Sequence, residues 1–161
     1  MMRIGLLLAA LAAPAPLAAA AAQDAPAAQI PSREGIEARH PSEMLDLAEA
    51  LFATPEGKEE GVFWYYVGDL RWKTLAACTE PFPFEEIKRM NDRLNEVGGP
   101  IRLWSRDNID TLLLTFDKVE KWDRETTTHY AKGPDCEAEA QFLRGTIADV
   151  KTYIEENRPD R

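Results

Sequence analysis

The run Val62-Phe63-Trp64-Tyr65-Tyr66-Val67 restricts the architecture of this chain more than any other stretch. Bulky side chains in unbroken succession cannot share one face of a helix, where neighbours diverge by about 100 degrees. A helix here must therefore be covered on more than one side. The same stretch also reads as strands: Gly68-Asp69 is a two-residue hairpin signal, and beyond it Leu70, Trp72 and Thr74 alternate with Arg71 and Lys73. The helix is the favoured reading over residues 62–75. Its flanks, Lys58-Glu59-Glu60 and Ala76-Ala77, are helix formers, and the chain offers no third strand to complete a stable sheet.

Apolar spacing predicts helices on either side. Leu45, Ala48, Leu51 and Phe52 share a stripe that starts near Ser42 and stops at Thr54-Pro55-Glu56-Gly57. Phe84, Ile87, Met90, Leu94 and Val97 form a second amphipathic stripe, for which Gly98-Gly99-Pro100 is the expected stop. A short connection, Ile101 to Trp104, then leads to Ser105 or Asp107 as an N-cap. Ile109, Leu112, Leu113, Phe116 and Val119 follow on one face, with Asp117 and Lys121 as a pair one turn apart. The polar stretch Asp123 to Pro134 reads as a loop, and Ala140, Leu143, Ile147, Val150 and Ile154 space a last helix. The expected fold is all-α, about five helices in a single compact domain over residues 42–161. Residues 23–41, rich in Ala, Pro, Gln and Ser without apolar periodicity, are expected to be a disordered leader.

Residues 1–22 read as an export signal: Arg3, an apolar run from Ile4 to Leu8 grading into alanine, and the small residues Ala20-Ala21-Ala22 as a cleavage site. Pro14 and Pro16 interrupt any continuous membrane helix, so no span is expected after processing. The alanine-rich style, with no Asn-x-Ser/Thr acceptor, points to a bacterial periplasmic or secreted protein. The 161-residue chain carries a formal net charge of −9, and the only charge in the signal is Arg3, so the mature domain is more acidic still. Nucleic acid is thereby a poor partner. In an exported chain, the two cysteines, Cys78 and Cys136, are expected to form a disulfide closing a loop of about 60 residues.

Leu47, Ala48 and Leu51 followed by Gly61, Tyr65 and Gly68 resemble one tetratricopeptide-type helical hairpin over residues 44–72. The connection is a residue longer than that motif's, and Lys73 stands where its closing proline would be. No second copy follows at the repeat period, so a full solenoid is not implied. Glu60 to Arg71, and Leu94-Asn95-Glu96-Val97-Gly98 through Pro100-Ile101 to Trp122-Asp123, resemble an uncharacterised group of small exported bacterial helical proteins. That resemblance implies a helical fold and no reaction.

Catalytic chemistry finds little footing in the sequence. His40 falls in the expected leader, which leaves His129 as the one candidate imidazole base. Adjacent acids such as Glu59/Glu60, Glu85/Glu86 and Glu155/Glu156 diverge on a helix and cannot share a substrate atom. Neither a metal-ligand spacing nor a phosphate-binding glycine loop occurs, so no metal and no cofactor are expected. The candidate binding residues are Trp64, Tyr65, Arg71, Trp72 and Trp104, types that dominate protein-binding hot spots. The expectation is a non-catalytic binding module contacting another envelope protein through a groove beside the second helix. Its alternatives are a carboxylate-dependent envelope hydrolase and an antitoxin-like immunity protein, whose acidic surface would meet a basic toxin.

Overall fold

The computed structural model describes residues 30–79, 81–126 and 134–158. The expected export signal, His129 and most of the polar stretch before Pro134 lie outside the described residues. Among the described residues five α-helices follow one another: α1 (Pro41–Phe52), α2 (Lys58–Ala77), α3 (Phe84–Asp107), α4 (Ile109–Glu125) and α5 (Pro134–Glu156), preceded by a 3-10 turn at Ile36–Ala38. Among the described residues there is no strand, and the expected all-α fold is the one that forms.

Residues 62–75 are helical throughout, inside α2, and this helix is the centre of the molecule. Val62, Trp64, Tyr65 and Val67 point in different directions around it and are all buried, because α2 packs against each of the other four helices. Its closest neighbour is α1, antiparallel across the turn between them. Gly61 permits that approach, since a Cβ at this position would lie 2.8 Å from both the Ala48 carbonyl oxygen and the Phe52 Cβ. Pro41 opens α1, where its missing N–H costs nothing, and the His40 Nδ1 accepts from the Ser42 amide at 3.2 Å as an N-cap. Contact with the core begins ahead of α1: Ile36 is 3% exposed, and Arg33 makes two 2.6 Å bonds to the Glu60 carboxylate.

Helix α3 departs from expectation. It runs unbroken through Gly98-Gly99-Pro100 to Asp107, and Ile101 to Trp104 are helical rather than a connection. Pro100 forfeits a backbone bond and crowds the preceding turn, but Val97 and Ile101 beside it are 4% and 0% exposed, and this packing outweighs the local cost. Gly98 is a contact point instead of a stop, for the Tyr65 hydroxyl lies against it. The break comes at Asn108, whose Nδ2 donates to the Trp104 carbonyl at 2.8 Å; neither Ser105 nor Asp107 caps α4. Asp117 does not meet Lys121. It takes Lys151 of α5 at 2.6 Å, while Lys121 turns to Glu125 at 3.9 Å, as befits intrahelical pairs worth only a few tenths of a kcal/mol. Phe84 and Val150, both expected on core stripes, are 73% and 43% exposed. Phe84 is the first residue of α3, and the α5 stripe runs past Val150 on the side of Lys151.

Candidate functional site

The start of α2, the end of α3 and one face of α4 enclose a groove of about 800 Å³. Its walls are aromatic: Phe63 and Trp64 from α2, Trp104 from α3 and Trp122 from α4. Phe63, Trp64 and Trp122 form one edge-to-face cluster, with centroids 5.0 Å apart for Phe63 and Trp64, 5.5 Å for Trp64 and Trp122, and 6.4 Å for Phe63 and Trp122. Trp104 stands edge-on to Phe52 at 6.1 Å, and the Lys58 ammonium lies 5.5 Å from the same Phe52 ring.

The rim alternates in charge, with Lys58, Lys118 and Lys121 set among Glu56, Glu59, Glu60 and Glu125. Two of these carboxylates are already engaged. Glu60 receives Arg33 and the Trp64 indole N–H, the latter at 3.2 Å, and Glu125 faces Lys121. Such an arrangement suits apolar burial with charge at the margin. Glu60 and Glu125 each face a cation rather than each other, unlike the carboxylates of a hydrolase.

Beneath the groove lies a buried ion network. Arg71 is fully buried; its Nε sits 2.7 Å from Asp123 Oδ1, and its Nη2 donates to the Thr126 carbonyl at 3.0 Å and hydroxyl at 2.6 Å. Arg144 of α5 reaches the other Asp123 oxygen at 2.7 Å and Glu137 at 2.8 Å. Burial works against the Arg144 charge, yet the Asp123 and Glu137 carboxylates overcome it and raise its pKa. The Arg71 guanidinium also lies 4.9 Å from the Trp122 ring centroid, so the network fixes one wall of the groove from behind.

Of the residues singled out from sequence, Trp64 and Trp104 line the groove together. Trp64 is itself only 6% exposed and backs the groove from the core, whereas Tyr65, Arg71 and Trp72 are buried elsewhere and do not line it. The Tyr65 hydroxyl accepts from Arg102 Nη1 at 2.6 Å and donates to the Leu94 carbonyl at 3.4 Å; burial raises its pKa, with Arg102 opposing. Trp72 packs edge-on to Phe82 at 5.0 Å, at the far end of α2. Trp122 and the lysines of α4 are the groove residues that sequence reasoning passed over. Thr115, Lys118, Trp122 and Glu125 do share one helical stripe, but one aromatic among polar residues does not distinguish that stripe from a solvated face.

Cys78 and Cys136 are brought side by side as free thiols. The Cys136 S–H points to the Cys78 carbonyl oxygen at 3.9 Å. Burial, reinforced by contact with the Cys136 thiol, pushes the Cys78 pKa upward. Among the described residues no three His, Cys, Asp or Glu side chains gather as metal ligands, and no helix is long and apolar enough to cross a membrane.

Fold and site together define an all-helical domain with an aromatic-walled, charge-rimmed groove. No family model matches the chain, and comparison with curated proteins and with solved structures gives no match.

Proposed function

We propose that this protein is an exported binding module, acting in the periplasm or outside the cell, whose groove captures an apolar segment of another envelope protein. The groove carries the reading. Its volume of about 800 Å³ falls within the range of roughly 300–1,000 Å³ typical of ligand sites, and tryptophans are the side chains most enriched where binding energy concentrates. The mixed rim supplies orientation: three lysines and four glutamates around the opening reward a segment whose flanking charges match and penalise one whose charges do not. The residues that make this site are Phe63, Trp64, Trp104 and Trp122.

The test is affinity capture from a native envelope fraction with the mature chain as bait, in parallel with Trp104→Ala and Lys118→Glu baits. Trp104 is half-buried at the groove edge, so its truncation should leave the helical circular dichroism intact. A single protein retained by the native bait and depleted about tenfold or more by Trp104→Ala, a hot-spot loss of at least about 1.4 kcal/mol, supports the reading. Equal retention by all three baits, or none by the native one, refutes it. Hydrolysis of an envelope glycan by the purified protein, lost in Glu59→Gln or Glu125→Gln, would establish the carboxylate enzyme instead.

A further inference from the structure

Helix α5 is the element least held by burial. Among the described residues its one buried hydrophobic side chain is Ala140, with Leu143, Ile147 and Ile154 only partly covered. Phe142 and Tyr153 on the same helix are 67% and 66% exposed. Polar contacts do the rest: Arg144 to the buried Asp123, and Lys151 to Asp117 and Arg158 to Asp110 farther along. The latter two pairs are partly exposed and screened by solvent, so they hold weakly. At the other end of α5, Cys136 in its first turn lies against Cys78, the C-cap of the central helix α2.

We propose that Cys78 and Cys136 form a redox clasp: a disulfide-bearing donor of the envelope oxidises the pair and fastens α5 to α2, and on reduction α5 stays seated on α2 but opens more readily. The two residues already adjoin across the helices, with the Cys136 sulfur 3.9 Å from the Cys78 carbonyl oxygen. Cys136 gives its thiol proton to water, and the resulting thiolate attacks one sulfur of the donor disulfide, giving a mixed disulfide and expelling the donor's second sulfur as a thiolate that takes up a proton. Cys78, which burial keeps in its thiol form, gives its proton to water and attacks the Cys136 sulfur. The Cys78–Cys136 bond forms, the mixed disulfide breaks, and the donor leaves as a dithiol carrying the two electrons. The buried network extends the consequence, because Asp123 is shared by Arg144 of α5 and Arg71 of α2, and Arg71 lies on Trp122 of the groove wall. This clasp does not depend on any ligand entering the groove.

The experiment equilibrates the mature chain with mixtures of oxidised and reduced glutathione, follows the loss of two hydrogens by intact mass, and maps amide exchange in each form. The expected result is an intramolecular Cys78–Cys136 bond, with exchange across residues 134–158 accelerated roughly tenfold or more on reduction while α1 and α3 keep their protection. Cys136→Ser, under oxidising conditions, should exchange like the reduced form. The reduced native chain gives the same comparison without any substitution, so a variant that fails to fold does not spoil the test. Failure to form the bond overturns the proposal. So does acceleration spread evenly over all five helices, which would mean that the bond only constrains the unfolded chain.

Discussion

The glycine pair at 98–99 offers the sharpest test of how α3 continues through a sequence that looks like its end. Both residues are helical and one position apart, and alanine gains about 0.5–1 kcal/mol of helix propensity at each, although at Gly99 the crowding of a new Cβ against the ring of Pro100 offsets that gain. Their surroundings differ. Apart from its chain neighbours and the local helix backbone, a Cβ at Gly99 would meet nothing within 4 Å, whereas one at Gly98 would lie 2.6 Å from the Tyr65 Cζ and closer still to the Tyr65 hydroxyl and Arg102. The end of Arg102 can swing away, but Tyr65 is 5% exposed and its ring cannot. Gly98→Ala must therefore force the ring out or bend α3, an overpacking cost of about 1–3 kcal/mol, with the Tyr65 hydroxyl bonds, about 1 kcal/mol, also at risk. The expected outcome in urea or thermal denaturation is unequal: Gly99→Ala leaves Tm within about 2 °C, and Gly98→Ala lowers it by more. Tyr65→Phe makes some room, so Gly98→Ala should cost about 1 kcal/mol less in that background than alone. Stabilisation by both alanines, or strict additivity with Tyr65→Phe, would show that Tyr65 is not seated on α3 and would refute the account of Gly98.

Alkali should expose the buried tyrosines. Burial, with help from Tyr65, pushes the Tyr66 pKa up to about 12, so the fold favours its neutral form. That stabilisation is complete below about pH 10, the ordinary tyrosine value, and is lost as the pH rises from there toward 12. Phenolate absorbance should then appear together with loss of helicity; ionisation of all four tyrosines near pH 10 in an intact fold would contradict the burial. Asp123→Asn should cost about 3–5 kcal/mol, because it removes the carboxylate that the buried Arg71 and Arg144 share. The same denaturation assay on Lys88→Ala, whose partner Asp92 is as exposed as Lys88 itself, should show no measurable change.

Those contrasts also explain what was legible in the sequence. The helix count followed from apolar spacing, and the central place of α2 followed from having bulky residues on every face. Both are properties of the backbone period, which a single sequence displays. The run at 98–100 misled because its local signal for a stop is genuine, and only the distant Tyr65 and the buried Ile101 make continuation the better state. The groove was half visible for a similar reason. Trp64 and Trp104 stood out by type, whereas Trp122 became a wall only when α4 crossed the start of α2. Arg71 looked like an exposed hot-spot residue, since arginine is seldom fully buried. The acid that makes its burial tolerable, Asp123, is 52 positions away and carries no sequence mark of the pairing.

Why a small domain should bury Arg71 at all is best answered by what it touches. A pair of apolar residues of similar volume would often serve stability equally well, but it would leave Trp122 free to slide. In its place, Asp123 receives α2 through Arg71 and α5 through Arg144, while Trp122, its neighbour in sequence, receives the guanidinium on its ring. A directional ion network at this point allows one orientation of α4 against α2, and that orientation stands Trp122 edge-on to Trp64 at 5.5 Å. Specificity of packing, more than its strength, is what an aromatic groove requires, because a wall displaced by an ångström no longer excludes water around a bound side chain. Replacing Arg71, Asp123 and Arg144 together by apolar residues should therefore leave the fold about as stable as before, yet blur the near-ultraviolet dichroism of the tryptophans. A triple variant with sharp, unchanged tryptophan signals would mean that hydrophobic packing alone sets the groove and that the buried ions have no part in its shape.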